Sequence, residues 1–199
     1  MRPSSLGKID FLYDCDEVER QKILYMLEVA GQMVIDYFGK KCNFDVLVCD
    51  GGWCMEVQTI SRERGQTART HSTKFLAFTD YNLNEIVIRK DSAKFVHYLH
   101  EMIHCVIPKK YPNQLREGLA WFFTLQLIKP YPYLRPNYPM WIAEIYINPV
   151  KSLVGKFGVD FIKDFAVGTA SIEESALPED AKDLFLPEEV FFRKKDQAS

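Results

Sequence analysis

The string His100-Glu101-Met102-Ile103-His104 constrains this chain more than any other feature. Its neighbours Tyr98, Leu99, Cys105 and Val106 are uncharged, and no proline interrupts the stretch, so it belongs on a largely buried helix. Buried imidazoles need partners for their nitrogens. Side chains four apart on a helix are rotated by only about 40°, so His100 and His104 leave the same face one turn apart. One ion about 2.0 to 2.1 Å from a nitrogen of each satisfies both. Glu101 points along the edge of that face, where a carboxylate can take a proton from water activated by a metal. Met102 and Ile103 then face the core. The bland alternative is a buried polar trio satisfied by hydrogen bonds alone.

Two imidazoles leave a catalytic zinc site one protein ligand short. Glu117, in Leu115-Arg116-Glu117-Gly118-Leu119-Ala120-Trp121, is the best third ligand. Pro108 and Pro112 force a turn after the first helix, and a second helix predicted from Asn113 to about Ile128 can return antiparallel to it. Gly118 and Ala120 are small enough to let the two helices approach closely. His97 lies near the same face as His100 and is a candidate for supporting a ligand or for serving as one. His71 sits in a polar loop and reads as solvated.

These residues resemble the gluzincin zinc metallopeptidases: HEMIH matches the H-E-x-x-H helix and Glu117-Gly118-Leu119-Ala120 the glutamate helix. The resemblance covers about 50 residues, and the small size is closest to the minimal gluzincins. It implies Zn2+ held by His100, His104 and Glu117, Glu101 as general base, and a peptide or protein substrate lying along an edge strand, for which residues 74–79 are the candidate. It also implies a donor to the oxyanion, and Tyr131, Tyr133, Tyr138 and Tyr146 are the candidates. Two features depart from the family. Only twelve residues separate His104 from Glu117, and Trp121 stands where many members carry an acid that orients a histidine, so another carboxylate or a carbonyl must take that role.

The rest of the chain reads as an α+β fold in one domain spanning 1–199, with a helix-and-sheet part over 1–90 and a mainly helical part over 91–199. Asp16 and Glu19 form a capping box for a helix to Phe38, with Leu24, Leu27, Val34, Ile35 and Phe38 at helical spacing and Gly39 as the stop. Phe44 to Val48 and Trp53 to Val57 alternate about Asp50-Gly51-Gly52 as a hairpin. An Arg-bearing loop over 61–72 follows, then strands at 74–79 and 85–89, giving a small mixed sheet of about four strands. Asp91 or Ser92 is the expected cap of the HEMIH helix. Beyond the second helix, prolines alternate with Tyr131, Tyr133 and Tyr138 in an irregular segment, followed by short helices over 141–147, 149–156 and 159–165 and an acid-rich surface stretch.

With 199 residues, 47% hydrophobic, the chain can bury a core without staples. A net charge of -2 gives no general attraction to nucleic acid, and no apolar run approaches the roughly 20 residues of a membrane span. The opening residues lack the apolar stretch of a secretory signal, and five cysteines without a CxxC pair suit reduced thiols in a cytoplasmic protein. A metal gathered by Cys42, Cys49 and Cys54 is a minor alternative. The function these readings imply is zinc-dependent hydrolysis of peptide bonds. The alternatives are a catalytically inactive metallopeptidase-like domain that binds zinc or a peptide for regulation, and a scaffold without metal.

Overall fold

The computed structural model describes residues 6–50, 76–90, 93–136 and 138–196. The fold is α+β, and the chain divides into two compact units, Met1–Cys105 and Val106–Ser199. The boundary therefore falls after the HEMIH helix rather than at residue 90, because that helix packs on the elements that precede it.

The first unit runs β1 (Ile9–Phe11), α1 (Glu17–Phe38), β2 (Asp45–Cys49), β3 (Ala77–Asp80), β4 (Glu85–Arg89) and α2 (Phe95–His104). At the start of α1, Asp16 accepts a hydrogen bond from the Glu19 N–H at 2.9 Å, and Gly39 ends the helix in the left-handed region at φ 68°. The buried stripe is Ile23, Leu27, Ala30, Val34 and Phe38, so Ile23 leads it while Leu24 and Ile35 flank it. Helix α1 connects the parallel neighbours β1 and β2, as parallel pairing requires a crossover.

The strand order is β1-β2-β4-β3, with β4 parallel to β2 and antiparallel to β3. Strands β1 and β4 occupy both edges of β2; the expected hairpin partner over residues 53–57 lies outside the described residues. Strand β1, only three residues long, has no counterpart in the sequence reading. On one face of the sheet, Val46 and Val48 stand opposite Ile86 and Ile88, all four fully buried. Their alternation places Thr79, the partner of Ile86, on this same face. On the other face Cys49 and Val87 pack with Leu12, Leu47 and Phe78.

The cysteines depart from expectation. Cys42, in the segment after α1, forms a disulfide with Cys105 at the end of α2, their Cα atoms 5.2 Å apart. The two are 63 residues apart, and only the packing of α2 on α1 brings them together, which spacing along the chain does not reveal. Cys42 is thereby removed from any three-cysteine metal site, and the reduced-thiol argument for a cytoplasmic setting falls with it.

The second unit is helical: α3 (Asn113–Leu127), α4 (Met140–Ile142), a π-helical turn (Ala143–Ile147), α5 (Asn148–Phe157), α6 (Val159–Ala166) and α7 (Glu188–Asp196). Two 3-10 stretches, Glu174–Ala176 and Glu179–Phe185, lie before α7. The acid-rich segment is not purely surface, since Leu177, Ala181 and Leu184 are buried from it. Gly118 is indispensable to the close packing here, for a Cβ on it would stand 2.9 Å from the Tyr146 carbonyl oxygen and 3.0 Å from Val150. Its small size thus serves contact with the Ala143–Phe157 stretch. Among the described residues no helix is long and apolar enough to cross a membrane.

A cross-link closing a loop of this length restricts the unfolded chain by about 4 kcal/mol on the chain-entropy model. Reductant should therefore lower the denaturation midpoint of the wild-type protein, Cys42→Ser should lower it comparably, and reductant should add nothing to the variant. A wild-type midpoint indifferent to reductant contradicts the bond.

Candidate metal centre

Helix α2 forms because residues 95–104 contain neither proline nor glycine and present an apolar stripe that packs against α1 and β3. Its first turn is closed differently from the sequence expectation. The helix begins at Phe95 with Lys94 flanking it, Asp91 and Ser92 lie outside the described residues, and His97 reaches back so that its Nδ1 accepts a hydrogen bond from the Lys94 N–H at 2.8 Å. This is the half of a capping box in which a side chain at the third helical position satisfies the backbone N–H before the helix. His97 is thus occupied as a cap.

The HEMIH side chains are buried together: His100 is 6% exposed, Glu101 5% and His104 3%, with Met102 and Ile103 wholly in the core. The Nε2 atoms of His100 and His104 face one another at 3.1 Å, their rings nearly perpendicular at 84°. Two imidazole nitrogens on one tetrahedral zinc ion stand about 3.3 Å apart, so the pair already has the separation of two ligands to a common ion. Without a cation, one nitrogen must carry a proton for the other to accept.

The Glu101 carboxylate and the His104 Nδ1 find partners on β3 and the turn after it. Thr79 Oγ1 donates to Glu101 Oε2 at 2.6 Å, anchoring the carboxylate as an acceptor. The Tyr81 hydroxyl lies 3.0 Å from His104 Nδ1 and 3.0 Å from the His104 carbonyl oxygen. The sequence leads one to expect a carboxylate or a carbonyl beside a histidine of this motif; the group found there is a tyrosine hydroxyl. Neither Thr79 nor Tyr81 was singled out from sequence. The available signal was strand alternation, which places 79 on the core-facing side, with 81 in step two residues on.

Glu117 belongs to the second unit, on the second turn of α3, and is half-buried. Arg116 beside it donates to Asn113 Oδ1 at 3.2 Å. The four tyrosines occupy unlike settings. Tyr131 and Tyr133 are exposed, the latter 80%, their rings edge to face 6.3 Å apart. Tyr146 packs between Trp141 and Phe191. Tyr138 packs 5.8 Å from Trp121, which lies one helical turn beyond Glu117 on the same side of α3.

Burial, with the neighbouring His100 and Lys94 charges adding to it, lowers the His97 pKa from its ordinary 6.5 to about 4. Above pH 6.5 the ring is neutral folded or unfolded, and the cap contributes fully. Between pH 6.5 and about 4 the unfolded chain takes up a proton that the folded protein refuses, so stability falls as pH falls. His97→Gln, whose amide oxygen can accept the same bond without titrating, should flatten the loss of melting temperature across this window. An unchanged slope would remove His97 as its source.

Compared with known protein families, characterised proteins and solved structures, the chain matches none.

Proposed function

We propose that the chain is a zinc-dependent peptidase in which His100, His104 and Glu117 hold the ion and Glu101 is the general base. The observation that carries the reading is the pair of buried Nε2 atoms 3.1 Å apart with a carboxylate on the adjacent residue. Two imidazoles and one carboxylate form a donor set that suits zinc and leave a coordination position open. Zinc held there supplies Lewis acidity, polarising a carbonyl and acidifying water.

The protein's own groups do the rest. Glu101, anchored through one oxygen by Thr79, takes the proton from the attacking water and delivers it to the leaving amine. Its burial keeps solvent from competing for that proton. Glu117 is assigned as third ligand because it is a half-buried carboxylate early on α3, thirteen residues beyond His104. Among the four tyrosines Tyr138 best suits the oxyanion donor, since it packs on the side of α3 that carries Glu117. Strand β3 pairs only with β4 among the described residues, which leaves an edge on which an extended peptide can add.

The test is Glu101→Gln, assayed on a quenched-fluorescence peptide library with zinc content measured alongside. Loss of general-base catalysis should lower kcat/KM by about 10²- to 10⁴-fold with zinc retained. Full activity in the variant would overturn the role of Glu101. Zinc-loaded wild type that binds peptides without cleaving any would favour a regulatory domain over a peptidase.

A further inference from the structure

The contacts of Tyr81 go beyond holding a helix in place. Its hydroxyl carries one proton and meets two atoms of a single residue, the Nδ1 and the carbonyl oxygen of His104, each at hydrogen-bond distance. A carbonyl oxygen can only accept, so the hydroxyl proton goes to it. The contact with Nδ1 is then satisfied when that nitrogen bears the hydrogen and donates to the hydroxyl oxygen. A neutral imidazole with its hydrogen on Nδ1 has its lone pair on Nε2, and this Nε2 is the atom that faces His100.

We propose that Tyr81 is a positioning residue that locks His104 in the Nδ1–H tautomer and thereby aims the Nε2 lone pair at the metal position. Its purpose rests on the zinc reading; its chemistry does not, because the lock exists in the protein alone.

The turn that carries Tyr81 is built to hold it. Asp80 Oδ1 accepts from the N–H groups of Asn82 at 2.8 Å and Leu83 at 3.2 Å, an Asx arrangement that fixes the chain immediately after Tyr81. Asn84 then takes a left-handed conformation at φ 52°, a region asparagine tolerates better than most residues, and Asp80 pairs with Glu85 to close the β3–β4 hairpin. The Tyr81 ring stands edge-on between Phe44 at 5.9 Å and His104 at 6.2 Å, so the hydroxyl is placed by packing independently of any ion. Thr79, two residues earlier, anchors Glu101. One strand end thus sets the ligand and the base together.

The experiment is long-range proton–nitrogen NMR of metal-free protein carrying ¹⁵N-histidine, for wild type and Tyr81→Phe, with zinc affinity measured by competition with a chelating dye. Wild-type His104 should show Nε2 as the unprotonated nitrogen. Removing one oxygen keeps the ring packing, so Tyr81→Phe should retain its far-UV circular dichroism while His104 loses its preference for the Nδ1–H form. Zinc should bind about 10- to 100-fold more weakly, the usual cost of removing a partner that orients a ligand. A wild-type His104 with its hydrogen on Nε2 overturns the inference without any variant, as does a Tyr81→Phe protein that keeps both tautomer and zinc affinity. Wild type that takes up no zinc overturns the zinc reading alone, and the metal-free spectrum then decides the role of Tyr81 by itself.

Discussion

The first unit is organised around the compensation of polar groups that its own core buries. Two imidazoles and a carboxylate lie almost wholly out of solvent on a ten-residue helix whose other neighbours are aliphatic or aromatic. Leaving a single such group without a partner costs about 1–3 kcal/mol by mutational measures. The β3–β4 hairpin meets that demand, with Thr79 on Glu101 and Tyr81 on His104, and the two imidazoles meet through their Nε2 atoms. Those contacts require α2 to sit at one height on β3, and that placement is shared with the packing of α2 on α1. The disulfide from Cys105 to Cys42 closes the far end of the same helix. Stability and site geometry are therefore one set of interactions here.

This arrangement also holds a carboxylate and an imidazole by uncharged partners. Glu101 is held by a neutral hydroxyl, which keeps an acceptor in place without adding a charge beside it. His104 is likewise held by a neutral phenol rather than by an acid. A neutral partner raises the basicity of an imidazole less than a carboxylate does, so the zinc site proposed above would combine a moderate affinity with a fixed ring orientation.

Much of this was legible before the fold was known. The Asp16 cap, the Gly39 stop, the buried run Glu85 to Arg89 and the HEMIH helix itself follow from local rules of capping, termination and periodicity, and the structure bears them out. What escaped is what depends on residues distant in sequence. Strand β1 has three residues and gains its identity only from pairing with β2. The parallel neighbours on both edges of β2 likewise come from residues distant in sequence. The Cys42–Cys105 bond spans 63 residues. His97 read as a possible ligand because its spacing from His100 suited that role, whereas the start of the helix at Phe95 made it a cap. Thr79 and Tyr81 carry no motif; alternation along a strand put them on the right face, and only the packing of α2 gave that face a purpose.

The central claim is that His100, His104 and Glu117 form one zinc site. It is tested most directly by elemental analysis of purified wild type beside His100→Ala and Glu117→Ala, after zinc is added and excess removed. The account predicts about one zinc per chain in the wild type and a marked loss in each variant. No zinc in the wild type, or full occupancy in Glu117→Ala, would contradict it.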